Sequence, residues 1–202
     1  MSLLSTMHGA CVHERRVKVL AAHFARLIPQ AASTVLDVGC GDGMLASELQ
    51  TLRPKLVIHG LDVLARPKAA IPVTVFDGTH LPFENGEFDA VLFADVLHHT
   101  SEPRVLLREA SRVALQGLAI KDHLNQGFLA FRTLSFMDWM GNAAYGVALP
   151  YNYWRPDQWI SAFRDLGLKA VTWETRLGLY PWPARLLFER LHHFVAWIQA
   201  SK

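Results

Sequence analysis

Val35-Leu36-Asp37-Val38-Gly39-Cys40-Gly41-Asp42-Gly43 is a short apolar run that ends in a glycine-rich turn. The residues after it, 43–52, carry a helical pattern. Strand, glycine turn and helix in that order make a ligand cradle. Glycine admits positive φ and lets a ligand reach the backbone with no Cβ in the way. The helix start behind it offers free N–H groups and the positive end of a dipole. The spacing separates two kinds of ligand. A dinucleotide loop reads G-x-G-x-x-G. Counted from Gly39, the last position of that pattern is Met44, and glycine comes one residue early, at Gly43. Asp37 places a carboxylate at the strand end, which suits an ammonium or sulfonium better than a pyrophosphate.

Outward from this loop, near-continuous apolar runs recur at 34–38, 56–61, 73–76, 90–94 and 118–121. Runs that do not alternate fit strands buried on both faces of a parallel sheet. Helical patterns lie between them. Residues 14–28 place Val17, Leu20, Ala21, Phe24, Leu27 and Ile28 on one face, and Pro29 stops the helix. A helix is expected over 103–114, with Ser101 as N-cap and Pro103 near its first turn. Another is expected over 156–166, with Trp159, Ile160, Phe163 and Leu166 inward and Gly167 as its stop. Residues 168–175 read as a strand. Residues 193–199 fit helix or strand, and a final strand is favoured. Alternating strands and helices make a doubly wound α/β sheet. The expected organisation is one domain over 1–202, with an N-terminal helix in 1–30 and a cap inserted at 124–154. Within that cap Phe128, Leu129, Phe131, Leu134, Phe136, Met137, Trp139 and Met140 are apolar nearly all round a helix. Such a helix is buried on several sides or faces a ligand.

Composition narrows the classes. The chain has 202 residues, 51% of them apolar and 19% charged, which excludes an intrinsically disordered protein. The net charge of +2 lacks the footprint of a nucleic-acid binder. Cys11 and Cys40 are the two cysteines, so no disulfide framework or Cys-rich zinc site is expected, and no metal is assigned. No signal peptide is visible, and the apolar stretch 128–149 is interrupted by Arg132, Asp138 and Asn142, which argues against a membrane span. A reducing cytoplasm is the expected compartment.

The glycine segment resembles the first motif of the class I S-adenosylmethionine-dependent methyltransferases, of the small-molecule type. The resemblance continues in order. Gly60-Leu61-Asp62 matches the acidic end of the second strand. Phe76-Asp77-Gly78-Thr79-His80-Leu81-Pro82-Phe83 matches the segment after the third. Phe88-Asp89-Ala90-Val91, running on to His98-His99, matches the fourth strand and its loop. Two departures are visible. Only 14 residues separate Asp62 from Asp77, so the second helix must be short or absent. The turn before the fifth strand is reduced to Leu115-Gln116-Gly117. The resemblance implies a seven-stranded, mostly parallel, Rossmann-like sheet whose last strand is antiparallel, and S-adenosylmethionine as cofactor. It also implies roles. Gly39, Cys40, Gly41 and Gly43 line the methionine and ribose part, with Cys40 as a small filler, and Asp37 orients the loop and the amino group. Asp62, followed by Val63, accepts from the ribose hydroxyls. Asp77, Gly78 and Thr79 take the adenine, and Asp95 and Val96 sit near the sulfonium. Arg15 or Arg16 could reach the cofactor carboxylate, against the alternative of a solvated helix face.

If the acceptor is a hydroxyl or an acidic carbon, a base must take its proton. Candidate bases are His98, His99 and His123, with Asp122. His98 and His99 follow the fourth strand and Asp122-His123 end the fifth, both at carboxyl ends of strands, where α/β folds bind ligands. The alternative is that they cap a helix or satisfy carbonyls. Ala94-Asp95-Val96-Leu97 stands where amine methylation of adenine or glutamine would need N-P-P-Y or D-P-P-Y. A small, hydrophobic acceptor is expected, with the aromatic cap and Tyr145, Tyr151, Tyr153 and Trp154 around it, unless these residues are core filling. The rival function is a methyltransferase-like binding or scaffold protein that has lost catalysis. Oligomeric state is not set by these features.

Overall fold

The computed structural model describes residues 3–64, 66, 68–142, 149–189 and 192–201. Seven strands form one sheet in the order β3-β2-β1-β4-β5-β7-β6. They are β1 (Thr34–Val38), β2 (Val57–Asp62), β3 (Val73–Val75), β4 (Phe88–Ala94), β5 (Ala114–His123), β6 (Leu168–Glu174) and β7 (His193–Ala200). The first five are parallel, and β7 runs antiparallel to both β5 and β6. The helices are α1 (Leu3–Leu27), α2 (Met44–Leu52), α3 (Pro103–Val113), α4 (Ala130–Asn142), α5 (Pro156–Asp165) and α6 (Arg185–Phe188). The chain winds from β1 out to β3 and then restarts at β4 on the other side of β1. The crevice at that reversal, at the carboxyl ends of β1 and β4, is where open α/β sheets bind ligands.

The apolar runs are continuous because each strand feeds two cores. Val35, Ile58, Ala90 and Leu92 pack on one face with Leu20, Phe24, Ile28 and Leu49. Leu36, Leu61, Val91 and Phe93 pack on the other with Leu107, Ile120, Trp159 and Phe194. The expected inward stripe of α1 is buried from Val17 to Ile28. The Arg53 side chain closes α1 by donating to the carbonyls of Ile28, Pro29, Gln30 and Ala32. The Asp of the Phe88-Asp89 pair is structural: its Oδ2 accepts from the backbone N–H and the hydroxyl of both Ser33 and Thr34, lashing the start of β4 to β1. Those contacts hold its carboxyl down at about 2.

Several expectations are corrected. Glu102, without a side-chain bond, stands at the N-cap of α3 in place of Ser101. Ile160 is 62% exposed, because α5 docks through Trp159 and Phe163. Leu115-Gln116-Gly117 is not a turn: α3 passes directly into β5, which begins at Ala114. Among the described residues no helix stands between β2 and β3, as the spacing of Asp62 and Asp77 requires. The cap helix is not apolar-buried all round. Ala130, Leu134 and Asp138, four residues apart, form its buried stripe, while Phe131, Phe136, Trp139 and Met140 are about half or more exposed. Tyr145 lies outside the described residues.

Candidate functional site

The glycine loop turns back over β2. Gly39 N–H donates to Leu61 O at 2.6 Å, and Gly41 N–H donates to Asp62 Oδ2 at 2.8 Å. Two glycines do different work. Gly39, at φ +73°, is pressed against Val96, and a Cβ there would sit 2.5 Å from Val96 Cγ2. Gly41, at φ +60°, faces open space, with no atom within 4 Å of where its Cβ would stand. A cavity of about 170 Å³ lies between α1 and the loop, lined by His13, Arg16, Val17, Asp37, Gly39, Cys40 and Asp95 among others.

Asp37 is buried, and its Oδ2 has no hydrogen-bond partner. Burial, and then the neighbouring Asp62, push its carboxyl up to about 7. The sign follows. A carboxyl whose folded value lies above its unfolded one holds a proton more tightly in the fold, so stability falls as pH rises from about 4 to about 7. Between pH 5 and 7, wild type should lose stability relative to Asp37→Asn by up to about 1.4 kcal/mol per pH unit. Denaturant melts of both proteins across that range check this, and parallel curves would refute it. Cys40 is packed against Gly60, and burial with Asp37 and Asp62 pushes its thiol up to about 12, the opposite of an activated nucleophile.

Asp62 is 6% exposed and holds its own turn, accepting from Gly41 N–H and Leu64 N–H. Asp77 is exposed and forms a side-chain turn, its Oδ1 taking Thr79 N–H, Thr79 O–H and His80 N–H. Val63 stands within van der Waals reach of Gly78. Asp95 is not a free group at the cavity. It sits at φ +60° and binds Lys121 through Oδ1 and Arg16 through Oδ2 at 3.0 Å. Arg16 therefore points inward from α1 and is not a solvated face, while Arg15 reaches the Gly178 carbonyl.

The three candidate histidines are drawn together, their rings in tilted contact: the His99 ring centre lies 4.1 Å from that of His98, and the His98 centre 4.4 Å from that of His123. His98 Nδ1 donates to Asp122 Oδ1 at 2.6 Å, and Asp138 Oδ2 lies 3.3 Å from its Nε2. Burial lowers its basicity, but the two carboxylates prevail and raise it to about 10. Asp122 also accepts from Leu97 N–H and His123 N–H, which fixes the turn after β4 to the end of β5. His123 goes the other way: burial, Lys121 and His98 push it down to about 4. Asp138, reached by Tyr153 O–H, is held well below the usual carboxylate range despite burial, by the His123 and His98 imidazoles beside it. Lys121, Asp138 and His193 are missing from the sequence reading of the site. The one signal was Asp138, a lone acid in an apolar helix.

Comparison with known proteins agrees with this fold. A family profile described as a methyltransferase domain matches residues 12–172. Malonyl-[acyl-carrier protein] O-methyltransferase of Legionella pneumophila is 33% identical over 117 residues, which cover 50% of this chain and 41% of that protein. The mitochondrial ubiquinone biosynthesis O-methyltransferase of Candida albicans is 29% identical over 126 residues, 55% of this chain and 38% of that protein. The matches thus span less than half of those relatives. Among solved structures, a chain in the complex of the Haloferax volcanii Trm112 methyltransferase activator with a methyltransferase superposes with a TM-score of 0.71 at 17% identity, covering 96% of this chain and 92% of that one. Geranyl diphosphate methyltransferase in complex with S-adenosylmethionine gives 0.66 at 14% identity, over 92% and 85%. The chain belongs to the methyltransferase-domain family, in the class I S-adenosylmethionine-dependent group.

Proposed function

We propose that this chain binds S-adenosylmethionine and transfers its methyl group to an oxygen of a small, apolar acceptor. The observation that carries the reading is the glycine loop, where a Cβ at Gly41 would enter open space and the adjoining cavity is lined by Asp37, whose buried Oδ2 is unpartnered. Both features fit the cofactor. When bound, it supplies a methyl group already activated on a sulfonium. Asp37 and the loop of Gly39, Cys40, Gly41 and Gly43 would hold its amino group and methionine backbone, with Arg16 available to its carboxylate. Asp62 retains lone pairs for the ribose hydroxyls. Asp77, Val63, Gly78 and Thr79 would enclose the adenine. Asp95 contributes through its backbone and through its grip on Arg16 and Lys121, and Val96 closes the wall against Gly39. The remaining work of the protein is to align the acceptor and exclude water. His98, His99 and His123 stand at the carboxyl ends of β4 and β5, on the acceptor side, and His99 is the least buried of them.

An apolar acceptor is supported by Phe128, Phe131, Phe136 and Trp139, which leave a large aromatic surface around α4. An oxygen acceptor is supported by the two O-methyltransferase relatives. Because Phe131 and Trp139 are 50% and 56% exposed, their replacement by alanine should cost under about 1 kcal/mol of stability, far from the 3–5 kcal/mol of a core aromatic. Cofactor affinity should stay unchanged. Release of S-adenosylhomocysteine with a panel of apolar carboxylic acids and phenols should fall at least fivefold at subsaturating acceptor. Unchanged turnover in both variants would remove α4 from the acceptor site. Cofactor binding with no turnover on any acceptor would favour a binding protein over an enzyme.

A further inference from the structure

Under α4, side chains from four elements converge on one buried spot with their acceptor atoms facing each other. His193 Nε2 lies 2.9 Å from the Phe188 carbonyl, which can only accept, so that nitrogen carries the hydrogen. His193 Nδ1 and His123 Nδ1 face each other at 3.0 Å, so one hydrogen lies between them. With both rings neutral, as imidazoles are when they bind metals, that hydrogen belongs to His123 Nδ1. His123 Nε2 then presents a lone pair, 3.4 Å from Asp95 Oδ1 and 3.7 Å from Asp138 Oδ1. His98 differs by one proton. Its Nδ1 donates to Asp122, and its Nε2, buried without a hydrogen-bond partner, faces Asp138 Oδ2 at 3.3 Å and would give up its hydrogen to bind a metal. Two imidazole nitrogens and two carboxylates thus meet at one buried spot.

Three separations, His98–Asp138 at 3.3 Å, His123–Asp95 at 3.4 Å and His123–Asp138 at 3.7 Å, are close to the edge lengths of a coordination polyhedron. With metal–nitrogen and metal–oxygen bonds of about 2.0–2.2 Å, the edges of a tetrahedron are about 3.3–3.6 Å long. Ligand atoms of Asp95, His98 and His123 all lie within 4.8 Å of one another, and so do those of His98, His99 and Asp138. The outer contacts are those that orient metal ligands: a carboxylate on the far nitrogen of His98, an imidazole on that of His123, and Tyr153 O–H on Asp138. Lys121 and Arg16 already hold Asp95, which makes it the outlying member.

We propose that His98, His123 and Asp138, with Asp95 at its edge, form a binding site for one divalent transition-metal ion. Mixed imidazole and carboxylate sites of this kind select zinc, cobalt, nickel or ferrous iron over magnesium and calcium. The ion would take the place of a proton on His98 Nε2 and fasten α4 to the ends of β4 and β5. The inference rests on these side chains alone and stands apart from the methyl-transfer reading.

The test uses the full chain, treated with a chelator and titrated with Co²⁺, Zn²⁺ and Mg²⁺ by calorimetry and, for Co²⁺, by visible absorption. The expected result is one equivalent of Co²⁺ or Zn²⁺ with a Kd in the micromolar range or below, ligand-field bands of nitrogen and oxygen ligation, and no heat from millimolar Mg²⁺. His98→Gln and Asp138→Asn, checked for folding by circular dichroism, should each weaken Co²⁺ at least tenfold, and His80→Ala on the surface should not. Absent bands in wild type overturn the proposal without any variant. Stoichiometric binding that survives both folded variants overturns it equally.

Discussion

Gly41→Val yields a folded protein whose affinity for S-adenosylhomocysteine falls at least a hundredfold, about 2.7 kcal/mol. The new Cβ strikes nothing in the protein, since no atom beyond its chain neighbours lies within 4 Å of it. The cost to folding is that of a branched residue at φ +60°, on the order of 1–3 kcal/mol. The cost to binding is steric, because the Cβ takes the volume the ligand needs. Gly39→Ala is the contrasting case. Its Cβ drives into Val96, so it should lose stability and binding together. Calorimetry on folded Gly41→Val decides the matter: a Kd equal to wild type would mean that the open space at Gly41 is not where the cofactor lies.

Trp159→Ala should be the most damaging single truncation away from the cofactor, at about 3–5 kcal/mol. Trp159 is 2% exposed and ringed by Trp154 at 4.9 Å, Phe194 at 5.0 Å and Phe163 at 5.8 Å. Its Nε1–H donates to the His123 carbonyl at 3.2 Å, so the substitution also strands a buried acceptor at the end of β5. For a domain of this size about 1 kcal/mol moves the melting temperature by roughly 2–4 °C, so a fall of roughly 6–20 °C is expected. A shift under 3 °C would show that the layer between β5, β7 and α5 is looser than its packing indicates.

The contrast between these sites explains what the sequence could reveal. β1 is legible to the residue, because a parallel strand buried on both faces leaves an unbroken apolar run, and the glycine loop because positive φ demands glycine. The ambiguous segment at 193 is a strand because β5 and β6 both pair with it, a tertiary fact with no local mark. The aromatic helix misleads for the same reason. Apolar residues around a whole helix imply burial only when something covers them, and one stripe alone is covered, Ala130, Leu134 and Asp138. The cluster under α4 is the least legible part. Asp95, His98, His123, Asp138 and His193 come from segments spread over about a hundred residues, each unremarkable alone, and Lys121 reads as the end of an apolar run. Only the sheet order brings them together. Asp62 and Asp77 were legible as strand-end acids, but their bonds to the Gly41, Leu64, Thr79 and His80 backbone appear only in three dimensions.

Thermal unfolding of the full chain with S-adenosylmethionine, S-adenosylhomocysteine and NADH in parallel tests the cofactor assignment most directly. At a hundredfold excess over Kd, a ligand of the native state stabilises it by about 2.7 kcal/mol. The two adenosyl ligands should raise the melting temperature by roughly 5–11 °C, and NADH should leave it unchanged. Stabilisation by NADH with none from either adenosyl ligand would contradict the account.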